Sequence, residues 1–202
     1  FLSRDPQTRR YHLGPLLYEL FTTAFPHFNI REICLPSMMS LANRLGDTVY
    51  LTVRSGFDGI CVERQEGSYP IRTCTVDVGQ RRPLGVGAGN LALLSALKDM
   101  EVNTILEHNA GRYEAFGLSP EAVRKSIAKV RKQDYVHQNA VTSTEVKAVA
   151  LPIRGRTGHP FGALSMTAIN ARMTDQRAKE VLAALRDEIA MIEEKIGELG
   201  YV

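Results

Sequence analysis

Arg81-Arg82-Pro83-Leu84-Gly85-Val86-Gly87-Ala88-Gly89-Asn90 runs straight into Leu91-Ala92-Leu93-Leu94, and this junction decides how the chain is folded. Before it the sequence reads as strands; after it helices return. A glycine-rich turn that opens a helix presents free backbone N–H groups and the positive end of the helix macrodipole, which suits a carboxylate or a phosphate. The neighbouring arginines strengthen that reading. The segment lacks the Lys-Ser/Thr ending of a P-loop, and Gly-x-Gly alone is a weak dinucleotide signal, so nucleotide hydrolysis is not expected. The alternative is that the glycines only let the helix pack closely on a strand. The residues by themselves leave both open.

Working outward, Thr48–Arg54 and Gly59–Arg64 are rich in β-branched residues and joined by Ser55-Gly56-Phe57-Asp58-Gly59, a hairpin connection. A third strand is expected over Ile71–Val76, after the Gly67-Ser68-Tyr69-Pro70 turn. Two helices precede the strands. The first carries Leu16, Leu17, Leu20, Phe21, Ala24 and Phe25 at helical spacing and stops at Pro26; the second covers Asn29–Leu45, with a bend expected at Pro36 and Gly46 as its stop. Beyond the junction, Leu91–Leu97, Val102–Glu107 and Pro120–Lys132 read as helices, the last capped by Ser119. Strands then follow over Tyr135–Asn139, Val146–Arg154 and Phe161–Ile169, and a long helix over Thr174–Leu199 with one apolar stripe closes the chain. This order predicts an α+β domain: a curved, mostly antiparallel sheet of about six strands flanked by helices. No linker or internal repeat divides it.

The chain has 202 residues, 25 basic and 22 acidic, for a net charge of +3. The basic tracts, at Arg9-Arg10, Arg81-Arg82 and Arg124–Lys132, read as solvated surface and not as the clustered stripe that holds a phosphate backbone. Three cysteines without CxxC spacing point to a reducing, cytoplasmic setting. No apolar run approaches the length of a membrane span, and no signal core opens the chain.

A second candidate surface is the strand Phe161–Ile169, where Ala163, Ser165 and Thr167 share one face and Leu164, Met166 and Ala168 the other. The small hydroxylated face could line a polar pocket, since a ligand carboxylate can satisfy buried hydroxyls; an ordinary solvent face reads the same way. Catalytic signatures are weak. There is no G-x-S-x-G elbow, no H-E-x-x-H, and the five histidines form no close pair. Neither metal nor cofactor is expected. A cysteine-dependent hydrolase or transferase would need Cys61 or Cys74 as nucleophile with His137 or His159 brought beside it by the fold. An adaptor binding through the Ile189–Leu199 stripe is a further alternative. The Glu193-Glu194 doublet reads as solvated.

At the N-terminus, Arg4-Asp5-Pro6-x-Thr8 forms a turn, and Tyr11 and Leu13 alternate as a short strand would. Such a hairpin end needs a partner, and none is expected within the chain. Together with Val78-Gly79-Gln80-Arg81-Arg82-Pro83-Leu84, Ala148-Val149-Ala150-Leu151-Pro152-Ile153 and Gly162-Ala163-Leu164-Ser165, this entry segment resembles the effector-binding domain of the IclR family of bacterial transcriptional regulators. The resemblance implies a GAF-like domain over residues 14–202, with residues 1–13 the remnant of a winged-helix wing and the entry to a linker. It implies a small organic acid as effector, sensed by a homodimer or homotetramer, and DNA bound only through a separate N-terminal winged helix-turn-helix. By matching positions, the family's pocket falls on Ile71, Cys74, Arg82, Gly87, Ala88, Gly89, Gln138, Asn139, Val146, Ala148, Ser165 and Thr167. The chain departs from the family pattern: a histidine and a lysine are lost around Gly85–Leu91, an acidic residue is replaced by the amide at Gln138 or Asn139, and a glycine is replaced by Glu145. An amide in place of a carboxylate removes a repulsion, and Arg82 offers a fork for bidentate pairing, so the expected ligand is a carboxylate, aromatic ones included.

Overall fold

The computed structural model describes residues 1–17, 19–20 and 30–199. A small hairpin, β1 (Leu2–Arg4) and β2 (Tyr11–Leu13), comes first. The main body runs α1 (Ile30–Leu45), β3 (Thr48–Ser55), β4 (Asp58–Gln65), β5 (Arg81–Pro83), α2 (Ala88–Ser95), α3 (Asp99–Tyr113), α4 (Pro120–Gln133), β6 (Val136–Ala140), β7 (Ser143–Arg154), β8 (Pro160–Ile169) and α5 (Asp175–Glu198). A 3-10 turn, Glu114–Phe116, follows α3.

The six strands β3–β8 form one sheet in the order β5-β4-β3-β8-β7-β6, and every neighbouring pair is antiparallel. The sheet is two three-stranded meanders joined where β3 meets β8. Period-two alternation then sorts the side chains onto two faces. Val49, Met166 and Val149 lie in one row, and Leu51, Leu164 and Leu151 in the next. These rows pack under α1 and α5, against Met38, Leu41, Val181, Leu185 and Ile192. On the opposite face Ala150 and Ala163 meet α2, α3 and α4 through Leu91, Leu93, Leu94, Ile105 and Ile127. Each fully buried large side chain contributes about 1.5–3 kcal/mol. A helix is buried according to how apolar it is all round: α2 has every residue from Gly89 to Ser95 buried because it runs between the sheet and α4.

Helix ends follow their caps. Ser119 accepts a hydrogen bond from the Ala122 amide at 3.2 Å and Thr174 one from the Arg177 amide at 3.2 Å, as N-cap hydroxyls do. At the C-terminus of α1, Arg172 and Arg177 both donate to the Leu45 carbonyl and both reach buried Asp47, at 2.6 and 3.3 Å. This staple ties α1 and β3 to the start of α5.

Three expectations change. The hairpin end at the N-terminus does find a partner inside the chain: Leu2–Arg4 pairs with Tyr11–Leu13, and Asp5 Oδ1 accepts from the amides of Gln7 and Thr8 to close the turn. Ile71–Val76 is not a strand. It lies in an irregular connection from β4 to β5 whose polar groups are met by side chains, and the strand that pairs with β4 is the short Arg81–Pro83. Glu193 is not merely solvated either, since its Oε1 accepts from the Arg154 amide at 2.7 Å. The helix expected over residues 16–25 falls mostly outside the described residues; Leu16, Leu17, Glu19 and Leu20 have helical backbone. Among the described residues no helix is long and apolar enough to cross a membrane.

Candidate functional site

On the face of the sheet that meets α2, the register aligns Tyr50, Ser165 and Ala150 in one row and Thr48, Thr167 and Ala148 in the next, with Thr52 beside Ala163. This is the small hydroxylated face expected from β8, extended onto β3. Over it comes the β5–α2 connector. Its position is fixed by backbone bonds from Leu84 to Phe57 O at 3.0 Å and from Val86 to Pro83 O at 3.0 Å, by Tyr113 Oη donating to Leu84 O at 2.8 Å, and by Asn90 Nδ2 donating to Val86 O at 2.9 Å.

The connector delivers the N-terminus of α2 onto the hydroxyls. Gly89 touches them: a Cβ there would sit 2.6 Å from Thr52 Oγ1 and 3.8 Å from Ser165 Oγ. The helix has no side-chain N-cap and no acidic residue in its first turn, and the amides of Ala88, Gly89 and Asn90 have no partner among the described residues. Helix openings in this state carry a partial positive charge and unspent donors.

Arg82 stands on the other side of the opening, with a Cβ on Gly87 lying 3.9 Å from its Nη1. The side chain is 9% exposed. Its Nη2 donates to Thr75 O at 2.5 Å, while Nε is buried without a partner among the described residues. Burial pulls its pKa below the ordinary arginine range, opposed by Tyr50, Cys61 and Asp77; an arginine stays cationic under such a shift. Between these groups lies a cavity of about 50 Å³ lined by Tyr50, Thr52, Gly59, Cys61, Thr75, Val76, Gln80, Arg82, residues 86–90, Ala140, Val141, Ala148, Ser165 and Thr167. Among the described residues no aspartate, glutamate or histidine lines it, and Arg82 is its one cation.

Of the residues expected from sequence, the structure brings Arg82, Gly87, Ala88, Gly89, Ala148, Ser165 and Thr167 together around this cavity. It does not bring the others there. Ile71 and Cys74 are exposed on the connection that forms one wall of the cavity. Gln138 and Asn139 line a separate cavity of about 200 Å³ with Leu91, Phe116, Leu118 and Val123. Val146 lies toward one end of β7, opposite Ile169. Sequence reading missed Tyr50, Thr52 and Cys61. The same alternation that singled out Ser165 and Thr167 was present in Thr48-Val49-Tyr50-Leu51-Thr52, but nothing in it said which face a helix would cover.

The cysteine alternative fares poorly in this geometry. Burial pushes the Cys61 thiol up to about 11, opposed by the Glu63 backbone and the charges of Arg64 and Arg82, so it is neutral at pH 7. His137 pairs opposite Val149 and therefore lies on the other face of the sheet, and among the described residues no histidine borders the cavity. Among the described residues no group of three or more metal-binding side chains occurs.

Comparison with known proteins fits this architecture. The profile of the bacterial transcriptional regulator IclR C-terminal domain matches residues 22–193. The HTH-type transcriptional regulator KipR of Bacillus subtilis is 27% identical over 199 residues, which cover 98% of this chain and 79% of KipR. Two solved structures share the fold at 22% identity each. One is an IclR transcriptional regulator from Silicibacter sp. TM1040, with TM-score 0.84 over 98% of this chain and 78% of its own. The other is an IclR homologue from Microbacterium hydrocarbonoxydans complexed with 4-hydroxybenzoate, with TM-score 0.77 over 96% and 79%. The sheet, the helix that opens onto its hydroxylated face and a match over most of the chain's length together show that this chain belongs to the IclR family of bacterial transcriptional regulators, as the C-terminal domain of one.

Proposed function

We propose that the domain senses a small organic acid, whose carboxylate seats between Arg82 and the first turn of α2 and whose remaining polar atoms meet Thr52 and Ser165. The observation that carries this is the pairing, among the described residues, of a buried guanidinium having an unpartnered Nε with three unpartnered helix amides, in a cavity that no described acidic side chain lines. Unpaired buried donors of this kind are expensive, and an anion satisfies them together. The 4-hydroxybenzoate of the Microbacterium relative is itself such an acid. At about 50 Å³ the cavity is a third of the roughly 150 Å³ that admits benzene. A carboxylate of acetate size fits the closed form; an aromatic acid requires the cavity wall to open.

In this reading residues 14–202 are the sensing domain. Residues 1–13 belong to the wing and linker entry of a helix-turn-helix head that reads DNA, and effector occupancy biases the arrangement of heads in a homodimer or homotetramer. Such coupling needs different affinities for two states. Calorimetric titration of acetate and benzoate tests the site. Arg82→Ala removes a charge-assisted pair worth about 1.5–3 kcal/mol, and so weakens binding roughly 10- to 100-fold; Ser165→Ala removes one neutral bond, about 0.5–1.5 kcal/mol. Affinity unchanged in both variants would place the acid elsewhere.

A further inference from the structure

The connection between β4 and β5, residues 66–80, forms one wall of the cavity through Thr75, Val76 and Gln80. One end is held by the Tyr69 amide on Gly46 O at 2.9 Å and by the Arg172 guanidinium 4.3 Å from the centre of the Tyr69 ring. The other is held by the Gly79 amide on Cys61 O at 2.7 Å. The middle, Thr73–Thr75, is hydrogen-bonded to the rest of the domain, among the described residues, only through residues that line the cavity. Tyr50 Oη donates to Thr73 O and accepts from the Thr75 amide at 3.0 Å; Thr73 Oγ1 lies 2.6 Å from Thr167 Oγ1; and Arg82 Nη2 donates to Thr75 O.

The Arg82 contact is incomplete in an informative way. Nε and Nη2 point along the same edge of a guanidinium, the edge on which a carboxylate accepts two parallel bonds. The Thr75 carbonyl takes Nη2 and leaves Nε without a partner among the described residues, in a side chain that is 9% exposed. A neutral carbonyl thus occupies half of a seat built for two anionic oxygens. Resting on the acid-sensing role proposed for this cavity, we infer that the Thr75 carbonyl is a built-in competitor. The arriving carboxylate takes both positions on Arg82, displaces Thr75 and frees the middle of the strap. Closure of the strap and pairing of one acid with both Nε and Nη2 of Arg82 exclude one another. The small closed volume agrees, since an aromatic acid needs the space that the strap fills.

A competitor in the same chain lowers apparent affinity by the fraction of molecules in which it is displaced. Loosening the strap away from the acid therefore tightens binding. Thr73→Val keeps the shape and removes the bond to Thr167; Tyr69→Ala removes the stacking under Arg172, outside the cavity lining. Titration of sodium benzoate into the 202-residue chain and these two variants, with hydrogen exchange followed across residues 71–79, tests the idea. The inference expects benzoate to bind about three- to tenfold more tightly to both variants, and exchange over residues 71–79 of the unaltered chain to speed up when benzoate is bound. Weaker binding in both variants with slowed exchange would make the strap a lid that shuts over the acid and overturn the inference, as would no change in either readout. Benzoate binding that ignores the strap sinks this inference alone. Absence of binding by benzoate and acetate to every form removes the acid-sensing reading and the strap's role with it.

Discussion

Gly59 and Asn90 show how tightly single residues hold the site in place. Asn90 is 6% exposed, its amide nitrogen ties the β5–α2 connector, and its Oδ1 rests against Gly59 with no hydrogen-bond donor. A Cβ on Gly59 would stand 1.7 Å from that oxygen. Gly59→Ala is therefore expected to destabilise the domain by about 1–3 kcal/mol through overpacking. In an Asn90→Ala background the same change costs much less, because the collision is gone. Urea denaturation of the two single variants and the double variant measures the coupling, and additive effects would contradict it. At this scale the sequence made Arg82, Gly87–Gly89, Ser165 and Thr167 legible, since each belonged to a local pattern with a chemical meaning. Tyr50 and Cys61 were not legible. Their part in the site comes from being brought opposite α2 by strand pairing over long separations, which no local window contains.

Elements were easier to read than their partners. The helices over Pro120–Gln133 and Asp175–Glu198 follow from their caps and apolar stripes almost to the residue. The stretch Ile71–Val76 failed because β-branched residues report fitness for a pleated surface, not the presence of a neighbour. Here Tyr50, Thr167 and Arg82 meet the Thr73 and Thr75 backbone groups that a strand would have paired. Edge strand β6 carries a test of its own. Burial lowers the pKa of His137, Lys147 and Lys129 add to the lowering, and Asp175 at the start of α5 opposes it; its Nε2 is buried without a partner. The folded pKa thus lies below the unfolded value of about 6.5. Below that pH the unfolded chain takes up the proton first, so this stability is complete above pH about 6.5 and is lost as pH falls through the folded pKa. Thermal unfolding between pH 7.5 and 5.5 is expected to drop more steeply for the unaltered chain than for His137→Gln. Parallel slopes would show that burial of the ring does not favour its neutral form.

For the molecule as a whole, the alternation of helix and strand groups was enough to give an antiparallel α+β domain, because two antiparallel meanders separated by helices have few ways to bury both faces of a sheet. What order alone could not give is that α2 opens on the hydroxylated face, with Arg82 and the strap beside its first turn. That arrangement gives the two sheet faces different jobs: one packs under α1 and α5, and the other meets α2, α3 and α4 and borders the cavity beside Arg82. The two jobs stay separate because each strand sends alternate side chains to opposite sides. The most direct test is a crystal structure of the chain grown with benzoate. The account predicts carboxylate oxygens at hydrogen-bonding distance, about 3 Å, from Arg82 Nε and Nη2 and from the amides of Ala88 and Gly89. Benzoate bound anywhere else, with Arg82 still on the Thr75 carbonyl and the α2 amides facing water, would contradict it.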